Sequence, residues 1–244
     1  TLRLEKYYSA PSYSEILGVS RKESSHSNFL AWLLNDKESH SLSDFPMRKF
    51  LEILVSHSKE NNIKQNSELF NAIVTGDISI SGLIVEREKR LDKASQVDLY
   101  AEMSICYDDK ETLLRLVIEN KVKSKEHKDQ TQRYFDFFEK NKRRGEKNLY
   151  VFLTPLSGID LVELSEPQCS CKEYIQINYQ ALADSMFQPI LNREINEKVK
   201  MIIQDYLQSL SQPSIDLDED YKQEMFMAIG NEERELLKKF WEKN

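Results

Sequence analysis

The sequence predicts a mixed α/β domain: a three-stranded meander, a crossover helix, a fourth strand, and helices covering the sheet. Three observations predict it. Strand-like runs "GLIVERE", "QVDLYAEMSICY" and "LLRLVIENK" follow one another. The helical stretch "KDQTQRYFDFFEKNKRR" and the apolar run "NLYVFLTP" come next. The chain has 244 residues, 40% of them hydrophobic, enough for one large domain or a domain with a smaller appendage.

Taken in order, "SRKESSHSNFLAWLLND" has apolar residues at 29, 30, 33 and 34, the spacing of one helix face. Its start reads as a capping box, with Ser20 as N-cap and Glu23 at the third helical position. A second helix is predicted through "DFPMRKFLEILVSHSKE", capped by Asp44 and with Pro46 in its first turn. Residues 58–78 are polar and patternless, which predicts a loop with a short helix. The three strands follow, and "YDDKE" marks a hairpin turn between the second and third. The next helix places Tyr134, Phe137 and Phe138 on one face. Pro155 ends "NLYVFLTP", which reads as a buried strand. "EYIQINY" predicts another strand, followed by a long helical segment over 180–210 kinked by Pro189. "SLSQPSIDLDED" reads as a linker and "YKQEMFMAIGNEERELLKKFW" as a last helix. The domain is therefore expected over 1–210, with a linker and helical appendage at 211–244.

The net charge of −7 argues against a protein that coats nucleic acid non-specifically, but it leaves room for a local basic groove. The charge is uneven: lysines and arginines crowd residues 121–147, while acids collect in "DLDED" at 216–220. That distribution hints at an anionic ligand. No apolar run approaches the roughly 20 residues of a bilayer span. No charged, then apolar, leader opens the chain, so a secretory route is not expected. Cys106, Cys169 and Cys171 form neither an even framework nor a C-x-x-C pair. A reduced, cytoplasmic protein is expected.

The chemistry concentrates in "LVIENK". Side chains alternate along a strand, so Glu119 and Lys121 share one face and Ile118 and Asn120 the other. On the preceding strand Asp98 faces opposite to Val97, Leu99 and Ala101. If these strands form the hairpin, Asp98 lies beside Glu119 and Lys121 at one end of the sheet. Two carboxylates at one point repel, and a hard divalent cation resolves the repulsion. Such a cation lowers the pKa of its water, and a nearby lysine can orient that water or neutralise phosphate oxygens. An ordinary salt bridge between Glu119 and Lys121 would explain the triplet alone.

The order "VDLY", "IENK", "QTQRY" resembles the PD-(D/E)XK nuclease superfamily over roughly residues 15–180. Val97-Asp98 stands where that superfamily has proline-aspartate, and Glu119-Asn120-Lys121 is its (D/E)-x-K. Gln130 and Tyr134 match the Q-x-x-x-Y element of RecB-like branches, and "ESSHSNFLAWLLND" is similar to the opening of a bacterial subgroup. The resemblance implies a restriction-endonuclease-like αβββαβ fold and a Mg²⁺- or Mn²⁺-dependent nuclease acting on nucleic acid, chiefly DNA, in defence or repair. Asp98 and Glu119 would hold the metal, Lys121 would assist the water, and Gln130 and Tyr134 would position substrate or lysine. An acid or histidine on the first helix often completes such a site, which makes Glu23 and His26 candidates. Glu86 and Glu88 on the first strand are further candidates, Glu86 being preferred. Lys123, Lys125 and Lys128 would contact the phosphate backbone or form a solvated helix entry. Two competitors remain: a catalytically inactive nucleic-acid- or protein-binding module of the same fold, and a structural ion-pair cluster in an unrelated α/β protein.

Overall fold

The computed structural model describes residues 12–20, 22–92, 95–121, 129–154 and 169–210. The short helix α1 (Tyr13–Ile16) precedes α2 (Glu23–Leu34), α3 (Phe45–Ser56) and α4 (Glu60–Thr75). Strands β1 (Ser79–Arg90), β2 (Gln96–Tyr107) and β3 (Lys110–Asn120) form an antiparallel meander. Helix α5 (Gln130–Lys140) then leads to β4 (Lys147–Thr154), parallel to β3, and β5 (Ile175–Asn178) pairs parallel with β4. The sheet order is β1-β2-β3-β4-β5, which makes β3 the central strand. This is the mixed sheet the sequence predicts.

Two apolar layers fix the sheet between helices. Leu99, Ala101, Met103, Leu116, Ile118, Val151 and Ile177 face a large core shared with α2, α3 and α4. On the other face Tyr100, Val117, Tyr150 and Phe152 pack with Tyr134 and Phe138 of α5. Strands buried on both faces read as near-continuous apolar runs, and β4 is buried at every position after Lys147. Phe137 only borders this cluster, its ring edge-on to Phe138 at 5.4 Å.

The β2–β3 turn consists of Asp108 and Asp109, both left-handed, at φ 48° and 57°. Two left-handed residues make the tight turn whose twist matches a hairpin.

Several local expectations are corrected. Residues 58–78 hold a sixteen-residue helix, α4, rather than a loop with a short helix. Its buried face includes Asn62 and Asn66, which blur the apolar period; Asn66 donates to the Asn62 carbonyl, and the backbone is non-helical at Asn66. The capping box at Ser20 is not formed, because α2 begins at Glu23 with Lys22 in the cap position. Asp44 precedes α3 without capping it, its carboxylate accepting instead from Arg48 Nε at 2.8 Å. The segment 180–210 is two helical pieces. The first comprises α6 (Tyr179–Leu182), a π-helical turn (Ala183–Phe187) and α7 (Gln188–Leu191). Pro189 lacks an N–H and crowds the carbonyl four residues back, so the widened turn sits just before it. The second piece, α8 (Glu197–Leu210), starts afresh where Asn196 Oδ1 accepts from the Lys198 N–H. The expected linker and last helix at 211–244 lie outside the described residues. Among the described residues no helix is long and apolar enough to cross a membrane.

The hairpin generates a test. Asp109→Gly removes the cost of a left-handed L-residue and is expected to stabilise the fold by about 0.5–1 kcal/mol in urea denaturation. A loss of stability would contradict the turn assignment.

Candidate active site

The site is built where β2 and β3 part. Their last paired residues at this end are Leu99 and Ile118, so Asp98 lies opposite Glu119. Beyond that pair the Asn120 N–H donates to Asp98 Oδ2 at 2.9 Å, a side chain taking the place of a strand carbonyl. On the edge strand, Glu88 sits opposite Asp98 between the pairs Arg87–Leu99 and Lys89–Val97, in a left-handed conformation at φ 52°. With pairing irregular on both sides, strict alternation fails. Val97 packs in the α5 cluster instead of sharing the face of Leu99 and Ala101, which corrects the sequence-based expectation.

Glu119 is wholly buried at 0% exposure, because β3 is flanked on both edges and covered on both faces. One oxygen is 2.7 Å from Lys121 Nζ, and Oε2 is buried with no hydrogen-bond partner. Lys121 extends the β3–β4 ladder by one bond, its N–H donating to the Leu153 carbonyl at 2.9 Å. That bond anchors the lysine, whose ammonium also lies 4.0 Å from Glu23 Oε2 at the start of α2. Glu23, Asp98, Glu119 and Lys121 therefore converge from α2, β2 and the end of β3.

Among the described residues, three carboxyl groups and one ammonium meet in this cluster. Burial, then the charge of Asp98, holds the Glu119 carboxyl up at about 8, against the opposing pull of Lys121. Burial also raises Asp98, although the Asn120 N–H and Lys121 favour its charged form. Burial works to lower Lys121, but Glu119, Asp98 and Glu23 outweigh it and hold the ammonium above its ordinary range. Lys121 thus stays protonated while the carboxylates resist full ionisation.

The other predicted residues divide. Gln130 and Tyr134 form a relay with β2: Gln130 Nε2 donates to the Tyr134 hydroxyl at 2.7 Å, and that hydroxyl donates to the Gln96 carbonyl. Tyr134 is buried at 2% exposure and feels the charge of Glu119, then Asp98. Gln130 meets Tyr134 rather than Lys121. Both ring nitrogens of His26 have hydrogen-bond partners: one is 2.8 Å from the Tyr206 hydroxyl and the other 2.8 Å from the Ser20 carbonyl. Both nitrogens are engaged behind the cluster, and burial lowers its pKa. Glu86 is exposed, stands opposite Tyr100 in the β1–β2 register and is paired with Lys89 at 3.1 Å. Lys123, Lys125 and Lys128 lie outside the described residues.

Asn120 was not singled out as a site residue by sequence reasoning. It is a polar side chain facing the core beside Ile118, a signal the strand alternation carries. Tyr179, whose hydroxyl donates to Asn120 Oδ1 at 2.6 Å, had no such signal.

A five-stranded mixed sheet with helices on both faces, and acids and a lysine at the carboxyl end of its central strand, defines a restriction-endonuclease-like α/β protein. The chain belongs to the PD-(D/E)XK nuclease superfamily, whose family model matches residues 14–208. No curated protein and no solved structure shows significant similarity to it. Nucleases of this superfamily generally use divalent metals. The donors present suit one: Asp98 and Glu119 are hard oxygen ligands, and Glu119 Oε2 is buried without a partner. Among the described residues no group of three or more His, Cys, Asp or Glu is placed to hold a metal ion. Two carboxylates suffice for a cation such as Mg²⁺, which keeps several waters and takes phosphate oxygens.

The raised Glu119 pKa has a signed consequence. Between the ordinary carboxylate range and about 8, the folded metal-free protein binds a proton that the unfolded chain releases, so stability falls as pH rises through that window. Glu119→Gln removes this dependence. In urea denaturation with chelator, the variant is expected to gain on the wild type from pH 5 to pH 8, by about 1–3 kcal/mol. A gap that stays constant with pH would contradict the assignment.

Proposed function

We propose that this protein is a Mg²⁺- or Mn²⁺-dependent nuclease that hydrolyses phosphodiester bonds, with DNA as its substrate. One observation carries the reading: Asp98 and Glu119 share a buried corner with Lys121, in a chain of the nuclease superfamily. Asp98 and Glu119 would hold the cation, and Glu23 adds negative charge next to Lys121. A divalent cation bound there supplies a water of lowered pKa and neutralises charge developing on the phosphate.

The chain's own groups do the rest. Lys121 is held protonated by its carboxylate neighbours, so it acts as a fixed donor to the attacking water or a phosphate oxygen, not as a base. Tyr134 and Gln130 brace the Gln96 carbonyl two residues before Asp98, which keeps the start of β2 in place. Lys123, Lys125 and Lys128 follow directly on the triplet and supply cations for the phosphate backbone. Retention of both acids and the lysine favours an active enzyme over a binding module that has lost catalysis. A cytoplasmic role in defence or repair accords with this chemistry.

The test compares cleavage of single-stranded, duplex and branched DNA with Mg²⁺ or Mn²⁺. Lys121→Ala is expected to lower kcat by about 10²–10³-fold while DNA binding is retained. Asp98→Ala is expected to abolish both cleavage and Mn²⁺ binding by calorimetry. Unchanged cleavage by Lys121→Ala would overturn the mechanism.

A further inference from the structure

We propose that Asn120, the middle residue of the Glu119-Asn120-Lys121 triplet, is a positioning residue that sets the first turn of α2 against the carboxylate cluster. The inference rests on the nuclease reading of that cluster and assigns a role inside it. Asn120 is 1% exposed, and its hydrogen bonds reach three other elements. Its backbone N–H holds Asp98 of β2 at 2.9 Å. Its side-chain Nδ2 lies 3.2 Å from the Glu23 carbonyl and 3.2 Å from Ser27 Oγ, both in α2. Its Oδ1 accepts from the Tyr179 hydroxyl of α6 at 2.6 Å.

A carboxamide is suited to this place. It offers two N–H donors and an acceptor oxygen, and here both functions are used in a buried setting. An aspartate of the same shape would turn an oxygen towards the Glu23 carbonyl and add a further negative charge to the cluster. An alanine would leave the Tyr179 hydroxyl and the first turn of α2 without this link. That turn carries Glu23, whose carboxylate lies 4.0 Å from the Lys121 ammonium. Fixing the turn therefore fixes the distance between Glu23 and Lys121, while the Asn120 N–H fixes Asp98. Tyr179 is itself braced: its ring lies 5.1 Å from His26, whose Nδ1 is 2.8 Å from the Tyr206 hydroxyl of α8. The bracing makes α6 a firm anchor for the amide.

The test uses the full chain and the variants Asn120→Ala, Ser27→Ala and Tyr179→Phe, the last removing one oxygen and keeping the ring. Asn120→Ala is expected to lower kcat by about 10–100-fold and to weaken Mn²⁺ binding several-fold in calorimetry, with KM for DNA unchanged. Ser27→Ala and Tyr179→Phe are expected to shift kcat and Mn²⁺ affinity in the same direction by smaller factors. The double variant Asn120→Ala/Tyr179→Phe should be no worse than Asn120→Ala, since the two share one hydrogen bond. If Asn120→Ala does not fold, the milder pair carries the test. Variants that melt earlier yet bind Mn²⁺ and turn over like the wild type at low temperature would overturn the inference alone. A wild type that neither binds Mn²⁺ nor cleaves would overturn the nuclease reading, and this inference with it.

Discussion

Two carboxyl groups, the half-buried Asp98 and the wholly buried Glu119, meet beside Lys121, the ammonium that faces them among the described residues. An unpaired buried charge costs several kcal/mol, so the corner must take up a proton or a cation. Glu119 shows the strain directly, with one oxygen unpartnered and its carboxyl held up at about 8. A purely structural ion pair would match one acid to one base. Among the described residues three acids surround Lys121, and perturbed carboxyl groups of this kind concentrate at functional sites.

The fold supplies the corner with little local invention. A central strand buried on both faces forces its penultimate residue, Glu119, out of water. Ending the β2–β3 ladder at Leu99 and Ile118 frees the Asp98 carboxylate to accept the next N–H. Continuing the β3–β4 ladder to Lys121 keeps the lysine backbone rigid past the strand's end. Helix α2 then brings Glu23 to the opening, and α5 braces the start of β2 through Tyr134. Preorganisation of this kind is what electrostatic catalysis requires, since charges placed beforehand need not reorganise during reaction.

Much of this was legible in the residues. Apolar runs gave the strands, "YDDKE" gave the hairpin, and the hairpin put Asp98 opposite Glu119. What escaped was context that periodicity does not encode. Helix α4 hides Asn62 and Asn66 on its buried side, so its polar sequence reads as loop. Spacing places His26 on a helix face but does not name its partners, and these, Tyr206 and the Ser20 carbonyl, lie outside that helix. Glu86 and Glu88 were indistinguishable by spacing. Only the pairing register shows that Glu88 stands opposite Asp98 while Glu86 leans to Lys89. Asn120 was visible as a polar residue facing the core, but its value lies in Glu23, Ser27 and Tyr179, which are distant in sequence.

The central claim is that the Asp98–Glu119 corner holds a proton only until a divalent cation replaces it. Proton release on Mn²⁺ binding tests this most directly, measured by calorimetry near pH 7 in buffers of different ionisation enthalpy. The account predicts about one proton released per Mn²⁺ bound, falling towards zero as the pH rises past 9. Binding without proton release at pH 7, or no binding at all, would contradict it.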